Sequence, residues 1–188
     1  MIGVVLAGGS SRRFQGRAKG LLLLHGVPLV LYAARALMPL CSRVVIECAR
    51  DEGYEALGLP VVHASSENAG KGPLAGIAAG LGLATSDEKV AFVPCDMPLL
   101  TSGVYGRLAR EASGSFATSP MGVEPLVCVL TGQALPEVER LLAEKSVPGV
   151  LALFEATGAA AVAFDDPSAF LNVNTPEELT ALNARNNQ

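Results

Sequence analysis

Short apolar runs alternate along the chain with longer stretches in which apolar residues recur at helical spacing. The short runs are rich in valine, isoleucine and leucine, as is typical of buried β-strands. They lie at residues 2–6, 43–48, 60–63, 89–93, 116–118, 125–130 and 160–164. Helical spacing predicts helices at residues 29–40, 74–84, 104–112, 136–145, 149–156 and 175–183. Turns are predicted at residues 25–26 and 120–122.

This alternation predicts an α/β fold with a doubly wound, mostly parallel sheet. The length of 188 residues, with no evident linker or internal repeat, predicts a single domain over residues 1–188. In such sheets ligands bind outside the carboxyl ends of the strands. We therefore expect the ligand-binding residues in the loops that follow Leu6 and Val93.

Composition excludes several classes of protein. Half of the residues are hydrophobic, 17% are charged and the mean hydropathy is +0.39, which excludes a disordered chain. The first apolar run is too short for a signal peptide or a membrane span. The four cysteines have no metal-binding spacing, although disulfide pairs remain open. We expect a cytoplasmic protein with reduced thiols and no membrane partner.

Basic residues are concentrated near the N-terminus. Residues 1–46 contain six basic residues and no acidic residue, whereas residues 47–188 contain all 18 acidic residues. A nucleic-acid-binding protein would need a basic face across the whole domain, so we expect no nucleic-acid partner. A local basic cluster of this kind suits a small polyanion instead.

The loop after the first predicted strand combines glycines with hydroxyl and cationic side chains. Gly8 and Gly9 follow Leu6 and Ala7, and adjacent glycines let a ligand approach backbone amides closely. Two serines, three arginines and Lys19 follow within ten residues, and such cations neutralise phosphate oxygens. The loop therefore predicts a triphosphate site, with a solvated surface loop as the alternative.

Two common nucleotide-binding motifs are absent from the sequence. A dinucleotide fingerprint needs G-x-G-x-x-G, but Gly8 and Gly9 are adjacent and the next glycine is Gly16. A Walker A loop needs G-x-x-x-x-G-K-[ST], and the only Gly-Lys pair is followed by Gly72. Any nucleotide site in this chain must therefore be built differently.

A second site element follows the strand predicted at residues 89–93. Asp96 stands between Pro94 and Pro98 at the carboxyl end of that strand, where the prolines restrict the backbone. Proteins commonly hold Mg²⁺ with one carboxylate together with substrate phosphates and waters. Asp96 is therefore a candidate metal ligand, and a helix-capping or turn aspartate is the alternative.

Asn172 and Asn174 form a third candidate element. On an extended segment, residues two apart point to the same side, where amide groups can ligate a metal or contact a substrate. Turn-forming asparagines are the alternative. The following Thr175, Pro176 and Glu178 are explained by a helix capping box and predict no function of their own.

Gly72 and Pro73, which open the helix predicted at residues 74–84, form a weaker candidate. Small residues there allow a flat base to lie against the backbone, but close packing of a helix on a sheet explains them equally well. His25 and His63 have no partner at a recognisable spacing and stay unassigned. Glu124, directly before Pro125 and a predicted strand, is only a weak candidate for a site residue.

Together these segments resemble a known family. The motifs occur in the order and spacing of the molybdenum cofactor guanylyltransferases, and the resemblance covers essentially the whole chain. They are L-A-G-G-x-S-x-R at residues 6–13, G-x-x-K at 16–19, G-P-L-A-G at 72–76, P-C-D-M-P at 94–98 and N-V-N-T-P-E-E at 172–178. The resemblance implies a Rossmann-like nucleotide-binding topology of the nucleoside-diphospho-sugar transferase type.

The resemblance also implies a reaction, in which GMP passes from GTP to molybdenum-bound molybdopterin and pyrophosphate is released. It implies Mg²⁺ as cofactor, held by Asp96, and catalytic roles for Arg13, Lys19 and Asp96. Molybdopterin-delivering and molybdoenzyme-maturation proteins are the implied protein partners. The implied GTP contacts are Leu6, Ala7, Gly8, Gly9, Lys19, Gly72, Pro73 and Asp96. The implied contacts on the molybdopterin side are Arg13, Gly16, Asn172 and Asn174.

The sequence departs from the family pattern at three places. Ala18 stands where an aspartate often precedes the lysine, and Glu47 stands where an asparagine often ends the second strand. Residues 64–65 are Ala-Ser, where the family often has an aspartate. The last two positions serve the nucleotide in the family.

Two other functions compete with this interpretation. One is a related transferase that uses CTP and acts on molybdopterin or on a sugar or polyol phosphate. The other is a non-catalytic nucleotide sensor or a chaperone for molybdoenzymes. Turnover with different nucleoside triphosphates would separate the two transferases, and pyrophosphate release would separate either of them from a sensor.

Overall fold

The computed structural model describes residues 1–8, 18–49 and 53–184. The strands are β1 (Ile2–Leu6), β2 (Leu23–Leu24), β3 (Val27–Pro28), β4 (Arg43–Glu47), β5 (Val61–Val62), β6 (Lys89–Pro94), β7 (Ser115–Ser119), β8 (Gly122–Thr131) and β9 (Ala160–Ala163). The α-helices are α1 (Leu29–Leu37), α2 (Pro73–Leu81), α3 (Ser102–Leu108), α4 (Leu135–Leu142), α5 (Val150–Thr157) and α6 (Pro176–Ala184). Every strand and helix predicted from the apolar pattern is present, with ends shifted by a few residues.

Seven of these strands form one sheet in the order β5-β4-β1-β6-β8-β7-β9. Among the described strands of this sheet, β8 alone runs antiparallel to its neighbours. The first four positions reproduce the 3-2-1-4 strand order of dinucleotide-binding folds. The predicted α/β fold with a mostly parallel, Rossmann-like sheet is therefore confirmed.

Helices cover both faces of the sheet. Residues of α1 and α3 pack in one apolar cluster with Val5 of β1. Residues of α2, α4 and α5 pack in a second cluster with Val4 and Leu6. Successive residues of β1 thus point to opposite cores, which explains why its apolar run is continuous rather than alternating. The doubly wound arrangement is confirmed.

The order of the strands reverses between β1 and β6. The chain runs from β1 to β4 and β5 on one side and then returns to β6 on the other side. Such a reversal of strand order opens a ligand crevice outside the carboxyl ends of the strands. The two ends are joined directly, because the Cys95 amide donates a hydrogen bond to the Leu6 carbonyl at 3.1 Å.

The short hairpin of β2 and β3 is the main element that the apolar pattern does not predict. The predicted turn at His25 and Gly26 is present, and both residues have positive φ, 47° and 77°. Such a pair suits a two-residue hairpin turn. None of the helices in the described ranges combines the length and the apolar character that a membrane span requires.

Close packing of α2 on the sheet depends on Gly80. A Cβ at this position would lie 2.6 Å from Cε1 of Phe92 and 2.9 Å from Cγ2 of Val4, and both of these side chains are fully buried. We expect Gly80→Ala to lower the free energy of unfolding by about 1–3 kcal/mol, because the core must move to admit a methyl group. Urea denaturation measures the change.

Gly106→Ala in α3 is the matched control, since a Cβ there would meet nothing within 4 Å. This variant should be neutral or more stable by up to about 1 kcal/mol, because alanine favours helix more than glycine does. Equal effects of the two substitutions would contradict the packing described for α2.

Candidate active site

Three residues from distant parts of the chain meet at the carboxyl edge of the sheet. Lys19 Nζ donates hydrogen bonds to Asp96 Oδ2 at 2.5 Å and to Asn174 Oδ1 at 2.8 Å. The side chains of Lys19 and Asp96 are 19% and 20% exposed, so the ion pair is largely removed from water but can still be reached. The structure thus brings together one residue from each of three predicted motifs.

Backbone hydrogen bonds hold Asp96 in this position. The amide of the preceding residue is bonded to the Leu6 carbonyl, which ties the end of β6 to the end of β1. On the other side, the Val173 amide donates to the Asp96 carbonyl at 2.8 Å. The segment that carries Asn174 is therefore attached directly to the loop that carries Asp96.

One oxygen of the Asp96 carboxylate lacks a hydrogen-bond donor among the described residues. Oδ1 is buried and has no hydrogen-bond partner among the described residues, whereas Oδ2 accepts from Lys19. A buried acceptor without a donor is costly, and a divalent cation would satisfy it. Within the described ranges no three metal-ligating side chains lie together, so such a cation would take its other ligands from phosphates and water. The residues present therefore fit a metal bound together with a nucleotide.

The predicted capping box holds the turn at Asn174. Glu178 Oε2 accepts hydrogen bonds from the amides of Asn174 at 2.5 Å and Thr175 at 3.1 Å. Thr175 Oγ1 accepts from the Glu178 amide at 3.2 Å, which confirms the capping box. Asn174 reaches Lys19 from this turn. Asn172 is half-buried and makes no side-chain hydrogen bond within the described part of the chain.

The beginning of the predicted phosphate loop lies beside β4. Leu6 and Ala7 are buried, and the Ala7 amide donates to the Glu47 carbonyl at 2.7 Å, whereas Gly8 is exposed. Gly9, Arg13 and Gly16 lie outside the described residues. The roles predicted for those three residues stay predictions.

The start of α2 reaches the same edge of the sheet. Gly72 precedes the helix with a positive φ of 75°, and Pro73 is its first residue. Both are exposed. Amide groups in the first turn of a helix have no acceptor inside that helix and attract anions or other acceptors. The predicted position of Gly72 and Pro73 beside a ligand is compatible with this geometry.

Glu47 is a residue whose environment the sequence does not reveal. It is 5% exposed and is the one buried charged residue in the described part of the chain. Burial raises the pKa of Glu47 to about 7, and the nearby His63 opposes this rise. In the sequence, Glu47 stands out only as a departure from the family pattern. In the structure it ends β4 and pairs with Leu6, at the beginning of the predicted phosphate loop, which places it near the candidate site.

Glu124 is a second acidic residue near the site. It lies on β8, which runs beside β6, and Ser119 Oγ donates a hydrogen bond to Glu124 Oε1 at 3.4 Å. Burial raises the pKa of Glu124, the hydrogen bond from Ser119 lowers it, and the negative charge of Asp96 raises it again. Glu124 is therefore within electrostatic range of Asp96, a relation that sequence spacing does not show.

Comparison with known proteins identifies the family. The family described as the MobA-like NTP transferase domain matches residues 3–161. This chain belongs to that family. The molybdenum cofactor guanylyltransferase of Cupriavidus taiwanensis is 35% identical, over 97% of this chain and 96% of the relative. The enzyme of the same name from Serratia proteamaculans is 33% identical, over 94% of this chain and 90% of the relative. The resemblance seen in the sequence motifs is thus confirmed.

Solved structures support the same fold. Molybdopterin-guanine dinucleotide biosynthesis protein A from Archaeoglobus fulgidus has a TM-score of 0.75 at 22% identity, over 98% of this chain and 97% of that chain. The 4-diphosphocytidyl-2C-methyl-D-erythritol synthase from Anaerococcus prevotii has a TM-score of 0.72 at 12% identity, over 97% of this chain and 94% of that chain. At these identities the likeness concerns the fold. As a member of the MobA-like family the chain is a nucleotidyltransferase, a class of enzyme that generally uses a divalent metal.

Burial of Glu47 should make the stability of the protein depend on pH. A carboxyl whose pKa rises from 4.5 to about 7 on folding contributes fully to stability below pH 4.5 and loses that contribution as the pH rises through 7. The loss is on the order of 3 kcal/mol. We therefore expect Glu47→Gln to be more stable than the wild type at about pH 8, and the difference to shrink towards about pH 5.

Urea denaturation at several pH values measures this difference. Glu155→Gln, at an exposed position on α5, controls for the change of charge alone. A stability difference between Glu47→Gln and the wild type that stays constant with pH would show that the carboxyl is not desolvated as described.

Proposed function

We propose that this chain transfers GMP from GTP to molybdenum-bound molybdopterin, forming the guanine dinucleotide cofactor and pyrophosphate. The observation that carries the proposal is the convergence of Lys19, Asp96 and Asn174 at the carboxyl edge of the sheet. Family membership and the names of the full-length relatives support these substrates. We further propose that residues 1–188 act as one domain in the cytoplasm, where proteins that deliver molybdopterin and mature molybdoenzymes are its partners.

Each described site residue has a part in the proposed reaction. Lys19 binds the phosphates of GTP, and Asp96 holds Mg²⁺ through the carboxylate oxygen that has no donor among the described residues. When bound, Mg²⁺ supplies neutralisation of phosphate charge. Asn174, which accepts a hydrogen bond from Lys19, contacts molybdopterin. Asn172 contacts molybdopterin. The nucleotide is contacted by Leu6, Ala7, Gly8, Gly72 and Pro73.

The residues outside the described ranges complete the same proposal. The motif at residues 6–19 assigns Gly9 to the nucleotide and Gly16 to the molybdopterin side. It assigns Arg13 to catalysis, as a further cation on the phosphates.

The proposed reaction requires that the two substrates be positioned and that the charge on the phosphates be neutralised. An oxygen of the molybdopterin phosphate attacks the α-phosphorus of GTP and forms a new P–O bond. The bond from the α-phosphorus to the bridging oxygen breaks, and pyrophosphate leaves with that electron pair. A phosphate nucleophile is already ionised at neutral pH, so no general base is required. Lys19 neutralises charge on the phosphates, in a site that is largely shielded from water.

The defining experiment is incubation of the purified protein with Mg²⁺ and molybdenum-loaded molybdopterin, with each of the four nucleoside triphosphates in turn. Pyrophosphate release with GTP alone is the expected result. Release with CTP would instead support a cytidylyltransferase acting on molybdopterin or on a sugar or polyol phosphate. Nucleotide binding without pyrophosphate release would support a sensor or a chaperone.

Asp96→Asn tests the carboxylate. The substitution keeps the shape of the side chain and removes the charge that a cation needs, so we expect transfer to fall by at least about 100-fold. Pyrophosphate release measures the loss, and thermal unfolding checks that the fold is kept. Asp165→Asn, at an exposed position far along the chain, is the control. Turnover at the wild-type rate in Asp96→Asn would refute the assignment of the metal to Asp96.

Lys19→Met tests the cation at the phosphates. Loss of a hydrogen bond from a charged donor costs on the order of 1.5–3 kcal/mol, so the KM for GTP should rise by about 10-fold to 100-fold. Lys145→Met at an exposed position is the matched control. An unchanged KM for GTP together with normal turnover would show that Lys19 does not bind the triphosphate.

A further inference from the structure

The hydrogen bond between Lys19 and Asn174 joins two segments that are 155 positions apart in the chain. Lys19 opens a short 3₁₀ helix, Lys19–Leu21, and Asn174 lies just before α6. A lysine ammonium sits at the end of a flexible four-carbon stem. Its position therefore depends on how the two segments are held relative to each other.

The segment that carries Lys19 is joined to the hairpin of β2 and β3. The Leu22 amide, just before β2, donates a hydrogen bond to the Lys19 carbonyl at 3.1 Å. The Leu29 amide, just after β3, donates to the Leu22 carbonyl at 2.9 Å. These two bonds connect the 3₁₀ helix to both ends of the hairpin, so the backbone of Lys19 is fixed relative to the hairpin.

Asn183, near the end of α6, fastens that hairpin to the helix. Its Oδ1 accepts a hydrogen bond from the His25 amide at 2.7 Å, and its Nδ2 donates to the carbonyls of Leu179 at 3.0 Å and Leu23 at 3.4 Å. His25 lies in the hairpin turn with a positive φ of 47°, which few residues other than glycine adopt. One side chain thus holds the turn and a strand of the hairpin against α6.

An apolar cluster supports the same contact between the hairpin and α6. Leu24 of β2 and Leu29 of α1 pack with Val173 and Leu182, and all four side chains are buried. Apolar burial has no preferred direction, so it holds two surfaces together without fixing their alignment. The directional hydrogen bonds of Asn183 supply that alignment.

These contacts form a closed path that begins and ends at Lys19. The path runs along the hairpin to Asn183 and back along α6 to Glu178, which accepts a hydrogen bond from the Asn174 amide. The Asn174 side chain then accepts from Lys19 Nζ. A shift of α6 against the hairpin must therefore move Asn174 relative to the backbone of Lys19.

We propose that Asn183 is a positioning residue, which places the Lys19 ammonium for the phosphates of the nucleotide. Asn183 acts through the hairpin and α6 rather than on the substrate. Functional groups have to be held within about 0.5 Å of their productive position, so a small change of alignment weakens binding. This inference rests on the proposed GMP transfer, and it extends the site to a residue outside the sequence motifs.

A purely structural role for Asn183 is the competing interpretation. In that case the side chain stabilises the end of α6, and its loss lowers the free energy of unfolding without changing how Lys19 meets the phosphates. The two roles differ in their dependence on Lys19. An effect that acts through the ammonium disappears when the ammonium is removed, whereas an independent effect remains.

A double-mutant cycle, measured by calorimetric titration of the full-length protein, separates the two roles. GTP is titrated with Mg²⁺ into the wild type, Asn183→Ala, Lys19→Met and the variant that carries both substitutions. We expect Asn183→Ala to weaken GTP binding by about 3-fold to 10-fold, the range that one lost hydrogen bond produces. In the Lys19→Met background the same substitution should cause no further loss.

Two further variants sharpen the comparison. Asn183→Leu keeps the bulk of the side chain and removes its hydrogen bonds, so it should reproduce the effect of Asn183→Ala. Thr180 is exposed on α6, and its hydroxyl donates to the Pro176 carbonyl at 2.9 Å. Thr180→Ala therefore removes a hydrogen bond within the same helix and should bind GTP like the wild type. Thermal unfolding checks that every variant is folded at the temperature of the titration.

The outcomes distinguish this inference from the function on which it rests. If Asn183→Ala weakens GTP binding equally with and without Lys19, or in neither background, Asn183 is not a positioning residue. An equal loss in Thr180→Ala would also overturn the inference, because any disturbance of α6 would then suffice. If the wild type neither binds GTP nor releases pyrophosphate from it, the proposed function fails, and the inference fails with it.

Discussion

The pairing of β1 with β4 on one side and β6 on the other is the constraint on which the site depends. It brings the carboxyl ends of three strands to one edge, where Leu6 lies between Glu47 and Pro94. The strand order reverses at β1, which is the place where doubly wound sheets bind their ligands. Lys19, Asp96 and Asn174 come from segments that are far apart in the chain, and they meet because that edge collects them.

The acidic residues at this edge lie in two different environments, one dominated by charge pairing and one by burial. Near β6, the negative charge of Asp96 is balanced by Lys19 at 2.5 Å, and Asp96 adds to the burial that raises the pKa of Glu124. Near β4, burial dominates and raises the pKa of Glu47 to about 7. The first part suits phosphate and a cation, whereas the second disfavours a negative charge.

The fold was largely predictable because its strands and helices are long enough to show a period. In the sequence, the buried strands of the central sheet appear as continuous apolar runs. The helices that pack on the sheet appear as apolar residues at helical spacing. The hairpin of β2 and β3 was not predicted, because strands of two residues are too short to show a period. Its turn at His25 and Gly26 was predictable. The part of the phosphate loop at residues 9–17 lies outside the described residues, so its predicted contacts rest on the motif.

The sequence by itself determined the fold class, the family and the chemical identity of the main site residues, because motifs and periodicity are local in the chain. Lys19 was recognisable in the cationic loop that follows β1, and Asp96 directly after the end of β6. The tertiary structure alone decided which carboxylates are buried and what lies beside them. The burial of Glu47 against Gly8 and Gly76 became visible only in the folded chain. Desolvation depends on neighbours brought in from remote segments, and no local spacing records it.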